Sequence, residues 1–469
     1  MSVSETERTQ SAPSLLVPEK DPRRWVIFGV VSLALFMGSI DQTIVATALP
    51  DLQHELHAAV NWSSWTITVY ALGQVIVMPV AGALADLYGR KRVFLTAVAI
   101  FTTASLACGL VSNIYVLVAL RAVQALGGGA FMPSATGLVA DVFGQDRDRA
   151  IGMFTSIFPI GGVVGPVLGG VFTTYWSWRG IFLVNIPIGI ALVLAGRVLL
   201  PKAETRSRRP KLDLVGIALM ATMLLGAMLA ITDLGGGSGI TAPEFVAPVV
   251  VAVLAGVAFV RHICTAENPF VDPRLLRGRQ FAAMNAFNFL FGAAVLGFGA
   301  LVPLYAETRY GLSALSGGTL LTARAVGIMF VAAGVVYLLR RLGYRLPIVV
   351  GSLVIAAGLL ALGFEPPFGT PYVWLALGAG LTGIGMGIAM PAANNAALNL
   401  APDRTAAVSG LRGMFRLAGA ITGISVTTAV IAQSANPGVA QGHVFQVFAA
   451  VVVLVLPLAF LIKDHRGSW

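Results

Sequence analysis

Inside a lipid bilayer nothing hydrogen-bonds a bare peptide group, so a chain that crosses it must do so as helices or as a closed barrel. This sequence falls into apolar runs of roughly 17 to 25 residues divided by polar or Pro/Gly-rich breaks, the length a spanning helix requires. The runs begin near Trp25, Trp62, Val93, Tyr115, Ile151, Gly180, Leu214, Phe245, Phe281, Ser316, Leu346, Tyr372, Thr405 and Val444. Barrel strands would instead read as alternating segments of about ten residues. Composition agrees with helices: of 469 residues, 57% are hydrophobic and 11% charged, against about 25% charged in an average soluble chain. The expected fold is an all-α polytopic membrane protein with fourteen transmembrane helices.

The basic residues set the orientation. With the N-terminus inside, nearly all of the 31 Lys and Arg residues fall on inner segments; Arg179 and Arg309 lie outside, and Arg121, Arg324, Arg412 and Arg416 lie within runs. Both termini are therefore predicted to be cytoplasmic. The net charge of +10 is topological and excludes a nucleic-acid partner as its explanation. The basic stretch 205–211 reads as a topology and headgroup determinant. Residues 1–24 are polar, without the apolar region of a signal peptide, and read as a cytoplasmic tail, as do 464–469. His54, His57, His262, His443 and His465 lie near run ends or in loops, and no metal or nucleophile cluster forms, so neither an enzyme nor a cofactor is expected.

Asp41 breaks the first run. At about 1.5 Å per residue it lies about 24 Å from the Trp25 end of a core roughly 30 Å thick. A carboxylate at that depth must be protonated, paired or facing water. Arg121, in the fourth run, sits roughly 9 Å from its outer end, and Asp41 about 6 Å from its own. The two charges are at similar depth and fit either a proton-responsive pair or a static structural one. Gln124, Ala125 and Gly128 continue the Arg121 face.

The second run ends in GALADLYGRKR, where Gly82, Asp86, Gly89 and Arg90 read as a latch: Asp86 and Arg90 are four apart and Gly89 permits a tight turn. The same residues also fit a simple stop signal. In the fifth run Gly161, Gly165 and Gly169 recur every four residues as a groove for close backbone approach, and Pro166 bends the helix. Trp176 and Trp178 suit an interfacial aromatic belt. Asn185 and Pro187 fit a bend, a cavity wall or helix-to-helix hydrogen bonding. The seventh and eighth runs carry no central charge and read as a passive insertion. Residues 267–281 read as an interfacial amphipathic segment. Asn285, Asn288, Arg324, Asn394, Arg412 and Arg416 are polar groups in the later runs. Four deep arginines against one deep acid make the interior cationic, which leans toward anionic, zwitterionic or neutral amphiphiles.

Taken together, these spaced motifs resemble the major facilitator superfamily, and within it the fourteen-helix drug:H+ antiporter branch. The likeness spans about residues 25–463. Gly82, Asp86, Gly89 and Arg90 match its motif A; Arg121 and Gln124 match motif B, with Ala125 where the family usually has glycine; Gly161, Gly165, Pro166, Gly169 and Gly170 match the antiporter motif C. The stretch 41–50 is similar to that branch's own motif in its first helix. A degenerate second motif A runs through Gly343, with Arg340 at the position of Asp86. The resemblance implies two six-helix bundles, 25–200 and 266–463, joined by a linker and inserted helices, 201–265. It further implies proton-coupled export of a small amphiphilic compound from a bacterial cytoplasmic membrane, by a monomer. Asp41 and Arg121 would couple protons; Gln124, Asn285, Asn288, Arg324, Asn394 and Arg416 would line the substrate cavity. A dedicated exporter of an endogenous metabolite, lipid or antibiotic is the alternative, and a non-transporting sensor a further one.

Overall fold

The structure, a computed structural model, describes residues 23–462 apart from 59, 202–212, 236–240, 268, 272, 274–277, 313, 368 and 402–403. Residues 1–22 of the N-terminal tail, the tail 464–469, the basic stretch 205–211 and six residues of 267–281 therefore lie outside the described residues, while Arg23 and Arg24, assigned to the tail, open the first helix. The described chain is helical, and eleven stretches are long and apolar enough to cross a membrane, one of them, Ile114–Tyr175, covering 62 residues.

The first group comprises α1 (Arg23–Ile44), α2 (Leu49–Glu55), α3 (Val60–Tyr88), α4 (Arg90–Leu110), α5 (Ile114–Phe143), α6 (Arg147–Thr155), α7 (Ile157–Tyr175), α8 (Gly180–Leu183) and α9 (Asn185–Leu199). Next come α10 (Leu214–Gly235) and α11 (Pro243–Thr265). The last group comprises α12 (Arg279–Phe291), a π turn (Gly292–Gly297), α13 (Phe298–Tyr310), α14 (Ala314–Leu342), α15 (Arg345–Gly363), α16 (Pro371–Leu398), α17 (Thr405–Ala432) and α18 (Pro437–Leu454).

Two of the apolar runs are broken where the sequence suggested continuity, and proline accounts for both. Pro159 has no N–H for the Thr155 carbonyl, and α6 ends at Thr155; Pro187 has none for Leu183, and α8 ends at Leu183. The run from Phe281 is interrupted by the π turn instead, which sits against α17: a Cβ on Gly292 would overlap the Arg416 carbonyl.

α1 is seated on α7 by the expected glycine groove. A Cβ on Gly161 would meet Ser39, one on Gly165 would overlap the Thr43 hydroxyl, and one on Gly169 the Thr47 hydroxyl, so a four-residue ridge on α1 and the 3-10 turn that continues it (Val45–Ala48) fills a four-residue groove on α7. Gly170 faces open space instead, and nothing in its surroundings requires glycine.

The two groups meet where α3 and α5 pack on α17, where α6 packs on α14 and α16, and where α7 packs on α14. α10 touches both α3 and α17 while α11 packs on α10, so the inserted pair lies across the seam rather than standing apart from it. Hydrogen bonds between the groups cluster at one end, where the α3–α4, α5–α6 and α14–α15 turns carry Gly89, Gly144 and Gly343 at positive φ. We call this the latch end.

Substituting Gly165→Ala should force Thr43 out of its position and destabilise the protein by about 1–3 kcal/mol, as overpacking does. Adding Thr43→Ala should restore part of that loss, and Gly170→Ala should be neutral. Thermal melting of the three purified variants beside the native chain checks this.

Candidate functional site

Asp41 is wholly buried inside the first group, with relative exposure 0%. Its Oδ2 accepts from Arg121 Nη1 at 2.7 Å, and its Oδ1 accepts from Gln124 Nε2 at 2.9 Å and from Asn185 Nδ2 at 3.2 Å. Five helices converge to build this cluster. α1 supplies the acid, α5 supplies Arg121 and Gln124 three residues apart on one face, and α9 supplies Asn185 as its first residue. α4 supplies Ser105, whose hydroxyl accepts from Gln124 and Asn185 and donates to the Phe182 carbonyl at 2.9 Å. α3 supplies the Thr66 carbonyl, which accepts from Arg121 Nε at 3.1 Å, and the Tyr70 ring, whose centroid lies 4.0 Å from the Arg121 guanidinium carbon. The charge is thus matched one for one, and neutral dipoles satisfy the remaining positions, which is the condition under which a buried pair is tolerated. Gln124 belongs to this sealed cluster and not to an open cavity.

At the opposite end from the latch, an apolar layer of Ile44, Ile114, Leu117, Ile181 and Phe182 packs against Ile40, beside Asp41. Over it, Glu55 at the end of α2 accepts from Arg179 and, at 2.6 Å, from Trp178 Nε1. Trp178 is therefore buried, not part of an interfacial belt, whereas Trp176 is exposed. The hydrogen bond from Arg179 holds the Glu55 carboxyl below its usual range, with burial opposing more weakly.

The latch differs from its reading as an i,i+4 pair on one helix. α3 stops at Tyr88, Gly89 turns the chain at φ 98°, and Arg90 opens α4. Arg90 nonetheless reaches back to Asp86 at 3.1 Å, and also binds Asp141 and, at 2.7 Å, the Gly137 carbonyl of α5. The other Asp86 oxygen crosses to the last group, accepting from the Ala407 N–H at 2.9 Å. Ala407 is in the first turn of α17, whose own flanking residue, Arg404, makes no side-chain cap. Asp86 thus caps α17 from another part of the chain, satisfying an open N–H at the positive end of the helix. Gly82 lets this contact close, since a Cβ there would overlap the Ala406 carbonyl.

A second clasp lies beside it. Asp148 Oδ2 accepts from the Tyr344 hydroxyl at 2.7 Å and from Asn399 at 3.3 Å, Asn395 donates to the Asp148 carbonyl at 2.8 Å, and Arg147 donates to Asn399. Sequence reading passed over Asp141, Asp148 and Tyr344, because their partners come from 51 to 251 residues away.

In the last group Arg324 donates to the Met386 thioether at 3.1 Å and Arg416 to that of Met132 at 3.3 Å. Arg412 donates to Asn394 Oδ1. Asn285 is buried on α12, and Asn288 is bonded to its own helix at the Met284 carbonyl, 2.8 Å away.

The sequence profile described as Major Facilitator Superfamily matches residues 31–424. The chain belongs to this superfamily. It is 32% identical over 403 residues to the multidrug resistance protein Stp of Mycobacterium tuberculosis, covering 85% of this chain and 74% of Stp. It is 28% identical over 421 residues to the multidrug transporter protein MdtP of Bacillus subtilis, covering 89% and 77%. The structure of the human organic anion transporter MFSD10 superposes with a TM-score of 0.69 at 16% identity, covering 94% of this chain and all of that one, and shows a shared fold. This is a multi-pass membrane transporter of the superfamily.

Asp41→Ala leaves Arg121 as a buried cation without its counter-charge and should cost about 3–5 kcal/mol; Asp41→Asn, which keeps an acceptor oxygen, should cost less. Melting in detergent distinguishes the two. Asp86→Ala removes a helix cap worth about 0.5–2 kcal/mol and should loosen the latch end. In a Cys264→Ser background, a cysteine placed at buried Ser409, which donates to Thr136 across the seam at 3.2 Å, should react with maleimide several-fold faster once Asp86 is changed. Because the Glu55 carboxyl is depressed, its contribution is present above the unfolded value of about 4.3 and is lost as pH falls through the folded one. Its partial exposure makes the effect small. Acid titration should shift the emission of Trp178 in the native chain and not in Glu55→Gln.

Proposed function

We propose that this protein exports small amphiphilic compounds, drugs or antibiotics among them, from a bacterial cytoplasm in exchange for protons. Fourteen membrane-crossing helices, formed by two six-helix bundles and the inserted α10 and α11, would carry this out as a monomer with both termini cytoplasmic. The observation that carries the reading is Asp41: it is the most deeply buried acid among the described residues, and its counter-charge, Arg121, is held by groups that need no proton from it. The names of Stp and MdtP support the class of cargo.

When Asp41 takes a proton its attraction for Arg121 weakens, and the guanidinium keeps the Thr66 carbonyl and Gln124 Oε1 as acceptors. Gln124 and Asn185 would continue to hold the neutral carboxyl through its carbonyl oxygen. The cluster would therefore keep partners for both residues in either charge state, and the change in the attraction between Asp41 and Arg121 would bear on how tightly α1 and α5 are held together. The latch end would be the cytoplasmic face, and the contacts of Asp86 and Asp148 would then close the protein toward the cytoplasm. Substrate would bind on the seam, where Arg416 of α17 meets Met132 of α5, and the two bundles would rock about that point.

In proteoliposomes with an imposed pH gradient, the native chain should accumulate substrate against its gradient. Asp41→Asn should abolish uphill movement, a loss of at least tenfold, while leaving downhill exchange of labelled for unlabelled substrate intact. Uphill transport by Asp41→Asn with unchanged pH dependence would overturn the assignment.

A further inference from the structure

The last group of helices holds positive charge that its described acids do not answer. Arg412 and Arg416 stand one turn apart on α17 and are 2% and 8% exposed. Among the described residues no carboxylate lies within 4.0 Å of either in an ion pair. The contrast with Arg121, neutralised at 2.7 Å, is direct.

Their hydrogen bonds are also incomplete. Arg412 Nη1 is taken by Asn394 Oδ1, which locks the guanidinium and the amide into one unit. That unit keeps two buried donors open: Arg412 Nη2 and Asn394 Nδ2 have no hydrogen-bond partner among the described residues. The hydrogen bond described for Arg416 goes to the Met132 thioether, a weak acceptor. A buried cation with open N–H groups is costly unless an acceptor, best a negatively charged one, completes it. The position also suits a ligand. Arg416 and Met132 belong to different groups, so the unit borders the seam, and the π turn at Gly292–Gly297 abuts Arg416 through a glycine. Such turns are frequent at functional sites.

We propose that Arg412, Arg416 and Asn394 bind the head group of an anionic amphiphile, a carboxylate, sulfonate or phosphate, with Met132 offering the adaptable apolar surface its tail requires. This rests on the exporter reading for the head group's role as cargo. The same chemistry is presented by an exported soluble anion and by an anionic lipid. The open donors and two unneutralised guanidiniums select against a cation of the same shape.

The test is equilibrium binding to the full chain in phosphatidylcholine nanodiscs, by calorimetry against empty discs. The probes are 4-octylbenzenesulfonate and 4-octylphenyltrimethylammonium, which share a tail and carry opposite permanent charges. The native chain should bind the sulfonate at least tenfold more tightly. Arg412→Gln and Arg416→Gln should each lose at least tenfold for the sulfonate and nothing for the ammonium, and Arg412→Lys should recover part of the loss. Adding phosphatidylglycerol to the discs separates the sources: competition in the native chain but not in Arg412→Gln identifies a lipid phosphate, and no competition identifies a soluble anion. Equal binding of the two probes, or glutamine variants that elute as the native chain does and keep their sulfonate affinity within twofold, would overturn the proposal. Proton-driven drug export by a chain that fails this test keeps the exporter reading and removes the anion site. A sulfonate site lost in Arg412→Gln, in a chain without proton-driven flux, does the reverse.

Discussion

A carboxylate and a guanidinium shut away from water must answer each other, and in this protein that requirement organises the first group of helices. The 2.7 Å pair between Asp41 and Arg121 fixes the relative depth of α1 and α5. Asn185 and Ser105 then bring α9 and α4 to the same level, because each finds its partners only there. The glycine groove of α7 holds α1 from its other side. α1 is therefore positioned by polar chemistry on one face and by close backbone approach on another, in addition to the apolar packing of Ile27, Val31, Leu35 and Met37.

The fold and part of the site could be read from sequence, and the boundary between what could and could not be read has a physical origin. Apolar run length gives helix positions because the bilayer imposes it. Depth counting brought Asp41 to Arg121 because both measures refer to the same slab of hydrocarbon. The spacing of Gly161, Gly165 and Gly169 gave a groove, since helix periodicity is local. What escaped were contacts set by how one helix docks on another. Asn185 was one polar residue among several until α9 turned it toward Asp41, and Asp148 carries no signal in the sequence, because Tyr344 and Asn399, which close over it, lie far along the chain. Asn288, singled out with the other buried amides, satisfies itself on its own helix.

The two groups of helices distribute charge unequally. In the first, the deep arginine is neutralised, and its neighbourhood is enclosed by an apolar layer and the Glu55 clamp. In the last, the deep arginines rest on amide and thioether groups beside the seam. Under the proposed function, the first arrangement would serve a proton, which needs no cavity, and the second a larger ligand that brings its own charge.

The cap that Asp86 places on α17 ends on a peptide N–H, which every residue but proline possesses. The closure of the latch end is thereby insulated from side-chain variation at position 407: the first group carries all of the sequence cost of this contact, and the last group supplies only a helix end. In the last group Arg340 stands where the resemblance to a second latch motif would put an acid, and there the contact is made differently: Gly343 turns the chain at φ 70° and delivers Tyr344 to Asp148.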